Sequence, residues 1–121
     1  MRRKKLRSLK SLRRELDSAF SKWIRKRDAD EEGLGSCVSC GRWRELQCGH
    51  FVKRGHTAIR WDERNAHGQC AGCNIEGDNI QYTLYMQKRY GQSVVDELLA
   101  AKRKTVKMTR ADYEQLLEKY L

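Results

Sequence analysis

Four of the five cysteines form two C-x-x-C pairs that are separated by 29 residues. The first pair is Cys37 and Cys40, and the second is Cys70 and Cys73. Each pair can place two thiolates on one metal ion, and four thiolates complete a tetrahedral zinc site with no open coordination position. A closed site of this kind joins two distant chain segments and performs no chemistry. We therefore predict a structural zinc site rather than two unrelated thiol pairs or a redox-active pair.

The fifth cysteine, Cys48, lies outside both pairs and just before Gly49 and His50. A thiol in such a position is either a buried, inert side chain or a catalytic nucleophile. We interpret Cys48 as the inert thiol, with catalysis as the weaker alternative.

Three polar residues occur in the order His50, Asn65 and Asn74. The first two lie between the cysteine pairs, and Asn74 directly follows the second pair. Hydrolysis of a phosphodiester needs a base to activate water, a cation to stabilise the phosphate, and positive surroundings. A neutral imidazole titrates near pH 7, so His50 suits the base. The amide oxygen of Asn74 is a hard ligand suited to Mg²⁺ or Mn²⁺. Asn65 either orients His50 by a side-chain hydrogen bond or holds its loop in place.

Positive charge is concentrated at the N-terminus. The net charge is +10, and residues 1–27 account for the whole excess, with 12 Lys and Arg against two acidic residues. A basic segment favours a polyanionic partner, most simply a nucleic-acid backbone. The alternatives are a solubilising tail or a basic helix on a membrane surface. The side chains expected to contact phosphate are Arg2, Arg3, Lys4, Lys5, Arg13, Arg14, Arg54, Arg60 and Arg64.

The hydrophobic pattern predicts an α+β chain in three parts: 1–35, 36–79 and 80–121. The first part holds a basic amphipathic helix over residues 6–27, whose apolar residues recur at spacings of three and four, and a glycine-containing turn. The second holds both C-x-x-C pairs and is expected to form a β-hairpin followed by a short helix. The hairpin strands are predicted near Arg44–Val52 and Ala58–Trp61.

The third part is predicted to contain three amphipathic helices. Ile80 and Leu84 suit one face of a helix that ends at Gly91, since glycine is a common helix terminator. Patterns typical of a capping box, beginning at Ser93 and at Thr109, predict the starts of the other two. These helices either pack on the central part or form a dimer interface.

Several strings of residues resemble the HNH nucleases, and more closely the phage NinG (Rap) recombination-endonuclease family. The resemblance covers about residues 18–121, and its strings are Cys37-x-x-Cys40-Gly41, Gly49-His50-Phe51, Arg60-Trp61-Asp62-Glu63-Arg64-Asn65, Gln69-Cys70-x-x-Cys73-Asn74 and Gly77-Asp78-Asn79. It implies a small ββα-metal (His-Me finger) core stapled by the four-cysteine zinc site, with DNA cleavage that depends on Mg²⁺ or Mn²⁺. It also implies branched recombination intermediates, such as D-loops and Holliday junctions, as substrates.

The sequence is also similar to the endonuclease VII type of resolvase. The zinc cage of that type likewise ends in Cys-Asn, with the Asn on the catalytic metal, which implies the same role for Asn74.

One position departs from the wider HNH pattern. Many members carry Asp or His directly before the base as a metal ligand, and this chain has Gly49 there. Either another residue supplies that ligand, with Glu76 as the first choice, or His50 is itself the ligand and His56 or His67 is the base. The further ligand candidates are Asp78, His67 and His56. His67 also fits a buried, hydrogen-bonded core residue.

The sequence alone is compatible with three functions. A DNA endonuclease explains the order of the histidine and the two asparagines together with the basic flanks. A non-catalytic zinc module that binds nucleic acid uses the same cysteines and basic segment, but gives no reason for that order. A protein-interaction adaptor leaves the concentrated charge unexplained.

Partners and location follow from the same observations. Branched DNA as a substrate favours paired active sites and hence a homodimer. No apolar stretch is long enough to span a bilayer, and no apolar segment follows the basic N-terminus as in a signal peptide. We expect a cytoplasmic protein with no membrane partner, in the host cytoplasm if a phage encodes it.

Overall fold

A computed structural model describes residues 6–77 and 79–121. The described residues form five α-helices and a three-stranded antiparallel sheet with the order β1-β2-β3, which confirms the predicted α+β class. None of these helices combines the length and the apolarity needed to cross a membrane. The elements are α1 (Leu9–Asp28), β1 (Leu34–Ser36), β2 (Trp43–His50), β3 (Ala66–Cys70), α2 (Ala71–Glu76), α3 (Asn79–Tyr90), α4 (Gln92–Ala101) and α5 (Arg110–Tyr120).

Helix α1 confirms the predicted N-terminal helix. Its N-cap is Ser8, whose side-chain oxygen accepts a hydrogen bond from the backbone N–H of Ser11. The apolar face is buried from Leu12 onward, whereas Leu6 and Leu9, which the spacing also places on it, are 78% and 45% exposed. The other buried side chains of this face are Leu16, Ala19, Phe20 and Ile24.

Strand β2 lies at the centre of the sheet and confirms the first predicted hairpin strand. Its first three residues pair with β1, and Leu46–His50 pair with β3. All five residues of β3 are buried. A strand that is buried on both faces loses the alternation of apolar and polar residues, so the hydrophobic pattern did not predict it.

The predicted second strand, Ala58–Trp61, is not a strand. Thr57–Ile59 form a short 3-10 helix instead. Ile59 and Trp61 are buried on either side of the half-buried Arg60. The alternation that is typical of a strand therefore comes from a tight turn here.

Strands β2 and β3 lie between two helical layers. Cys48 of β2 and Ala66 of β3 pack into the apolar cluster of α1 and α5. His67, the next residue of β3, contacts Tyr82 of α3. Because successive side chains of a strand point to opposite faces, α1 and α5 cover one face and α3 covers the other. The second apolar cluster joins α3 and α4 to Phe51 and the short 3-10 helix.

Helix α3 confirms the predicted helix, but another face is buried. The helix ends before Gly91, which has a φ of 88°. Its buried side chains are Tyr82 and Met86, whereas Ile80 and Leu84 are 71% and 53% exposed. The Tyr82 hydroxyl reaches into the sheet, and this tertiary contact sets the rotation of the helix.

Of the two predicted capping boxes, one is confirmed and one is wrong. Thr109 accepts a hydrogen bond from the backbone N–H of Asp112, whose carboxylate accepts from the backbone N–H of Thr109. Ser93 does not cap α4, which already begins at Gln92 and whose N-cap makes no side-chain hydrogen bond. Since a glycine directly precedes Gln92, the chain can enter the helix without a side-chain cap.

Candidate functional site

The two C-x-x-C pairs meet at one end of the sheet. Cys37 directly follows β1 and Cys70 ends β3. Their sulfur atoms and those of Cys40 and Cys73 all lie within 4.8 Å of one another. The predicted four-cysteine cluster is thereby confirmed, and it can hold a metal ion such as zinc.

The electrostatics of this cluster favour a bound cation. Burial acts to raise the pKa of the Cys37 thiol, but hydrogen bonds from the backbones of Cys70, Cys40 and Ser39 outweigh it and lower the pKa to about 7. One of these bonds runs from the N–H of Cys70 to the Cys37 sulfur over 3.3 Å. Burial and the three neighbouring thiols raise the pKa of Cys73. All four thiols can ionise together only when a metal ion compensates their charge.

A second group of polar side chains surrounds a cavity of about 420 Å³. The wall of this cavity is built by α1, β2, β3, α2 and α3 together with the loop after β2. Its polar lining includes Asp17, His50, Lys53, Arg54, Gln69 and Asn74. The structure therefore brings together His50 and Asn74, which the sequence analysis proposed as base and metal ligand.

His50 is the last residue of β2, and its ring is held in one orientation. Nε2 lies 2.9 Å from the carbonyl oxygen of Arg60. Because a carbonyl only accepts hydrogen bonds, Nε2 carries the proton and Nδ1 is the unprotonated nitrogen of the neutral ring. Burial, with a smaller contribution from the charge of Arg54, lowers the pKa of His50. The ring is therefore neutral at pH 7, and Nδ1 can accept a proton.

Asn65 is completely buried and holds the chain that follows His50. Its Oδ1 accepts a hydrogen bond from the backbone N–H of Val52 over 2.9 Å. Its Nδ2 donates to the carbonyls of Val52 at 2.9 Å and Ile59 at 3.4 Å. Of the two roles considered for Asn65, the contacts correspond to holding the loop and not to a bond with the imidazole.

Asn74 directly follows Cys73 on α2. Its Nδ2 donates a hydrogen bond to Oε1 of Gln47 over 2.9 Å, which fixes the orientation of the amide. No donor among residues 6–77 and 79–121 bonds to its Oδ1. This oxygen is thus available to a cation in the cavity.

The other proposed metal ligands are not brought to this cavity. Glu76 is exposed on α2 and does not line it. His56 lines a different cavity, beside Leu99 and Lys102. Asp78 lies outside the described residues.

His67 and Cys48 are in environments that make them unreactive. His67 is 3% exposed, and its two ring nitrogens lie 3.1 and 2.8 Å from the hydroxyls of Tyr82 and Tyr90. Burial is the main cause that lowers its pKa to about 4. Burial also raises the pKa of Cys48 to about 12, so its thiol stays protonated near pH 7. Both therefore fit the structural roles considered for them.

The arginines proposed for phosphate contact differ in their availability. The guanidinium of Arg60 makes two bonds to the carboxylate of Asp17, at 3.0 and 2.5 Å. Arg64 pairs with Asp62 and Glu97. Arg54 is exposed on the cavity wall and makes no ion pair with a described residue.

The N-terminal basic residues are described in part. Arg13 and Arg14 are exposed on α1, one turn before Asp17, which lies on the cavity wall. They therefore extend the positive surface along the helix that borders the cavity. Arg2, Arg3, Lys4 and Lys5 lie outside the described residues.

The cavity wall also includes residues that the sequence did not single out, among them Asp17, Lys53 and Gln69. Asp17 is the partner of Arg60, and its carboxylate also accepts a hydrogen bond from the indole N–H of Trp61, over 3.0 Å. Lys53 lies three residues after His50 and could have been selected from its charge. Gln69 could not, because its place depends on how β2 and β3 pair.

Comparison with known proteins identifies the relatives of this chain. A family model described as Bacteriophage Lambda NinG protein matches residues 1–121. Protein ninG of Escherichia phage lambda is 32% identical over 116 residues, which are 87% of this chain and 55% of that protein. Protein ninG of Salmonella phage P22 is 30% identical over the same shares of the two chains. Protein ninG of Escherichia phage 933W is 34% identical over 90 residues, or 70% of this chain and 43% of that protein.

The chain spans about half the length of the curated relatives it matches. No solved structure matches it significantly. Because the family model covers all of its residues, the chain belongs to the NinG family of bacteriophage proteins.

Proposed function

We propose that the protein is a metal-dependent DNA endonuclease of the HNH (His-Me finger) type. The observation that carries the proposal is the state of His50. Its Nε2 is bound to a backbone carbonyl and its pKa is lowered, so a neutral imidazole with an unprotonated Nδ1 lies on the cavity wall. This is the form that a general base for water requires near pH 7.

The other residues of the wall fit a divalent cation of the Mg²⁺ or Mn²⁺ class. Asn74 offers an oriented amide oxygen without a protein donor among the described residues, and hard cations prefer such oxygen ligands. A cation bound there would supply Lewis-acid stabilisation of the phosphate and of the leaving oxygen. Asn65 contributes by fixing the loop after His50, and Lys53 and Arg54 contribute positive charge for the phosphate backbone.

The proposed substrate is DNA, and in particular branched DNA such as D-loops and Holliday junctions. Support for DNA comes from the exposed cations at the cavity and along α1. Support for branched DNA comes from the resemblance of the motifs to recombination endonucleases. A homodimer would place two such cavities on one junction.

The test compares the wild-type protein with His50→Ala and with His56→Ala. Each is given a labelled four-way junction and a linear duplex of the same sequence, with Mg²⁺, Mn²⁺ or EDTA. His56→Ala is the matched control, because His56 lies on a different cavity. Zinc content is measured before EDTA is added, to establish that every variant is folded.

We expect cleavage that needs Mg²⁺ or Mn²⁺, is lost in His50→Ala and is kept in His56→Ala, with more cleavage of the junction than of the duplex. Cleavage that survives in His50→Ala would remove the assigned base. Equal cleavage of both substrates would remove the preference for branched DNA.

The second candidate function is a non-catalytic zinc module that binds nucleic acid. The closed four-cysteine cluster and the exposed arginines of α1 favour it, because neither feature needs chemistry. Binding of the junction without cleavage under every metal condition would decide for this function.

A further inference from the structure

The backbone of Gly49 lies against the side chain of Gln69. A Cβ atom on Gly49 would be 2.2 Å from Oε1 of Gln69 and 2.8 Å from its Cβ. The second distance involves an atom that no change of rotamer can move. Any side chain at position 49 would therefore need the backbone to shift, and Gln69 occupies the space that such a side chain would use.

The pairing of the strands explains this close approach. Gly49 pairs with His67, and Gln47 pairs with Gln69. Gly49 and Gln69 are thus diagonal neighbours on one face of the sheet. The side chain of Gln69 consequently reaches the position directly before His50 from the opposite strand.

The amide of Gln69 is buried but only partly satisfied. The residue is 4% exposed, and its Nε2 donates a hydrogen bond to Oγ of Ser39 over 2.8 Å. No donor among the described residues bonds to its Oε1. This oxygen is not one of the fully buried atoms that lack a partner, and Gln69 lines the cavity, so the oxygen is accessible to a species within the cavity.

We propose that Gln69 is a ligand of the divalent cation in this cavity. It takes the role that an Asp or His directly before the base has in the wider HNH pattern. Gln69 and Asn74 match each other: the nitrogen of each amide donates to a protein oxygen, and the oxygen of each is left for the cation. This inference rests on the proposed function, because it assumes that a divalent cation binds here.

Two amide ligands have a consequence for affinity. Metal affinity at oxygen sites rises with the number of charged ligands. A cation held by neutral amides is bound more weakly than one held by a carboxylate, and it retains its full charge for the phosphate. Adding a carboxylate at position 69 should therefore tighten the binding of the cation even without DNA.

The experiment measures Mn²⁺ binding to the zinc-loaded protein by electron paramagnetic resonance, with zinc content checked in each sample. The variants are Gln69→Glu, Gln69→Ala and Asn79→Asp. Gln69→Glu preserves the shape of the side chain, and the Ser39 hydroxyl can donate to the new carboxylate. Asn79→Asp is the matched control, since Asn79 is an exposed amide on the same cavity wall.

We expect Gln69→Glu to bind Mn²⁺ at least about tenfold more tightly than the wild type, and Gln69→Ala about tenfold more weakly. Asn79→Asp should change the affinity by less than about threefold, because the proposal gives Asn79 no role as a ligand and the added charge is screened by solvent at an exposed position. If Gln69→Ala loses its zinc, the isosteric Gln69→Glu still decides the question.

Mn²⁺ affinity in Gln69→Glu that matches the wild type, or that rises no more than in Asn79→Asp, overturns the assignment. If the wild type nevertheless cleaves DNA and loses this activity in His50→Ala, the endonuclease proposal stands and only the role of Gln69 fails. A wild-type protein that neither binds Mn²⁺ nor cleaves DNA overturns both.

Discussion

Asn65 holds two backbone segments together from a completely buried position, and replacing it by alanine should be costly. The substitution removes both hydrogen bonds to Val52 and the longer one to the Ile59 carbonyl. A buried donor or acceptor left without a partner costs about 1–3 kcal/mol. With two well-formed bonds lost at Val52, we expect the free energy of unfolding to fall by about 3–4 kcal/mol. For a chain of this size that corresponds to a fall in Tm of about 10–15 °C.

The assay is thermal unfolding of the zinc-loaded protein, followed by circular dichroism, with Asn74→Ala as the control. Asn74 is exposed, and among the described residues its side chain bonds only to the exposed Gln47, so the loss of this bond should cost less than about 0.5 kcal/mol. Asn74→Ala should nevertheless lose cleavage, because it removes the proposed ligand oxygen. If Asn65→Ala unfolds within about 3 °C of the wild type and keeps its zinc, the structural role of Asn65 is refuted.

Two further predictions concern the metal cluster and the buried histidine. Cys73→Ser should lose zinc and have a lower Tm, because three thiolates bind the metal less tightly than four. Zinc content and thermal unfolding are measured on the same sample, and wild-type values of both would contradict the prediction. His67, with its pKa lowered from 6.5 to about 4, should stabilise the fold fully above pH 6.5 and lose that contribution, about 3 kcal/mol, as the pH falls towards 4. Urea unfolding between pH 7 and 5 tests this prediction. The free energy of unfolding of His67→Gln should depend less on pH than that of the wild type at equal zinc content, and an equal dependence in both proteins would contradict the assignment.

Local patterns predicted the helices well. The apolar repeat of α1 and the capping box at Thr109 act within one or two turns of chain, so both can be recognised without tertiary structure. The glycine that ends α3 is likewise a local signal. These features needed only the order of residues along the chain.

Features that depend on distant contacts were not predictable in the same way. Strand β3 is buried throughout, and a turn produces the alternation at Ala58–Trp61. The buried face of α3 is chosen by Tyr82, whose hydroxyl donates to the carbonyl of Gly49 over 2.7 Å. Each of these outcomes is set by what packs against the segment, which no local window contains.

The candidate site shows the same division. His50 and Asn74 could be selected from residue type and order, and the structure places both on one cavity. Two other features depend on how α1 and β3 lie against β2. Arg60 is paired with Asp17 of α1, and the side chain of Gln69 from β3 fills the space beside Gly49. The register of two strands therefore decides which side chain lies beside Gly49.

The four-cysteine cluster and the cavity are not independent parts of the molecule. Gln69 directly precedes Cys70, and Asn74 directly follows Cys73, so the two proposed ligand amides flank the second cysteine pair. The first pair is connected to the same amides, because Ser39, between Cys37 and Cys40, accepts the hydrogen bond that orients Gln69. A metal ion bound by the four thiolates would fix these three segments relative to one another. The closed metal site, which performs no chemistry itself, would thereby determine the positions of the two amide oxygens beside His50.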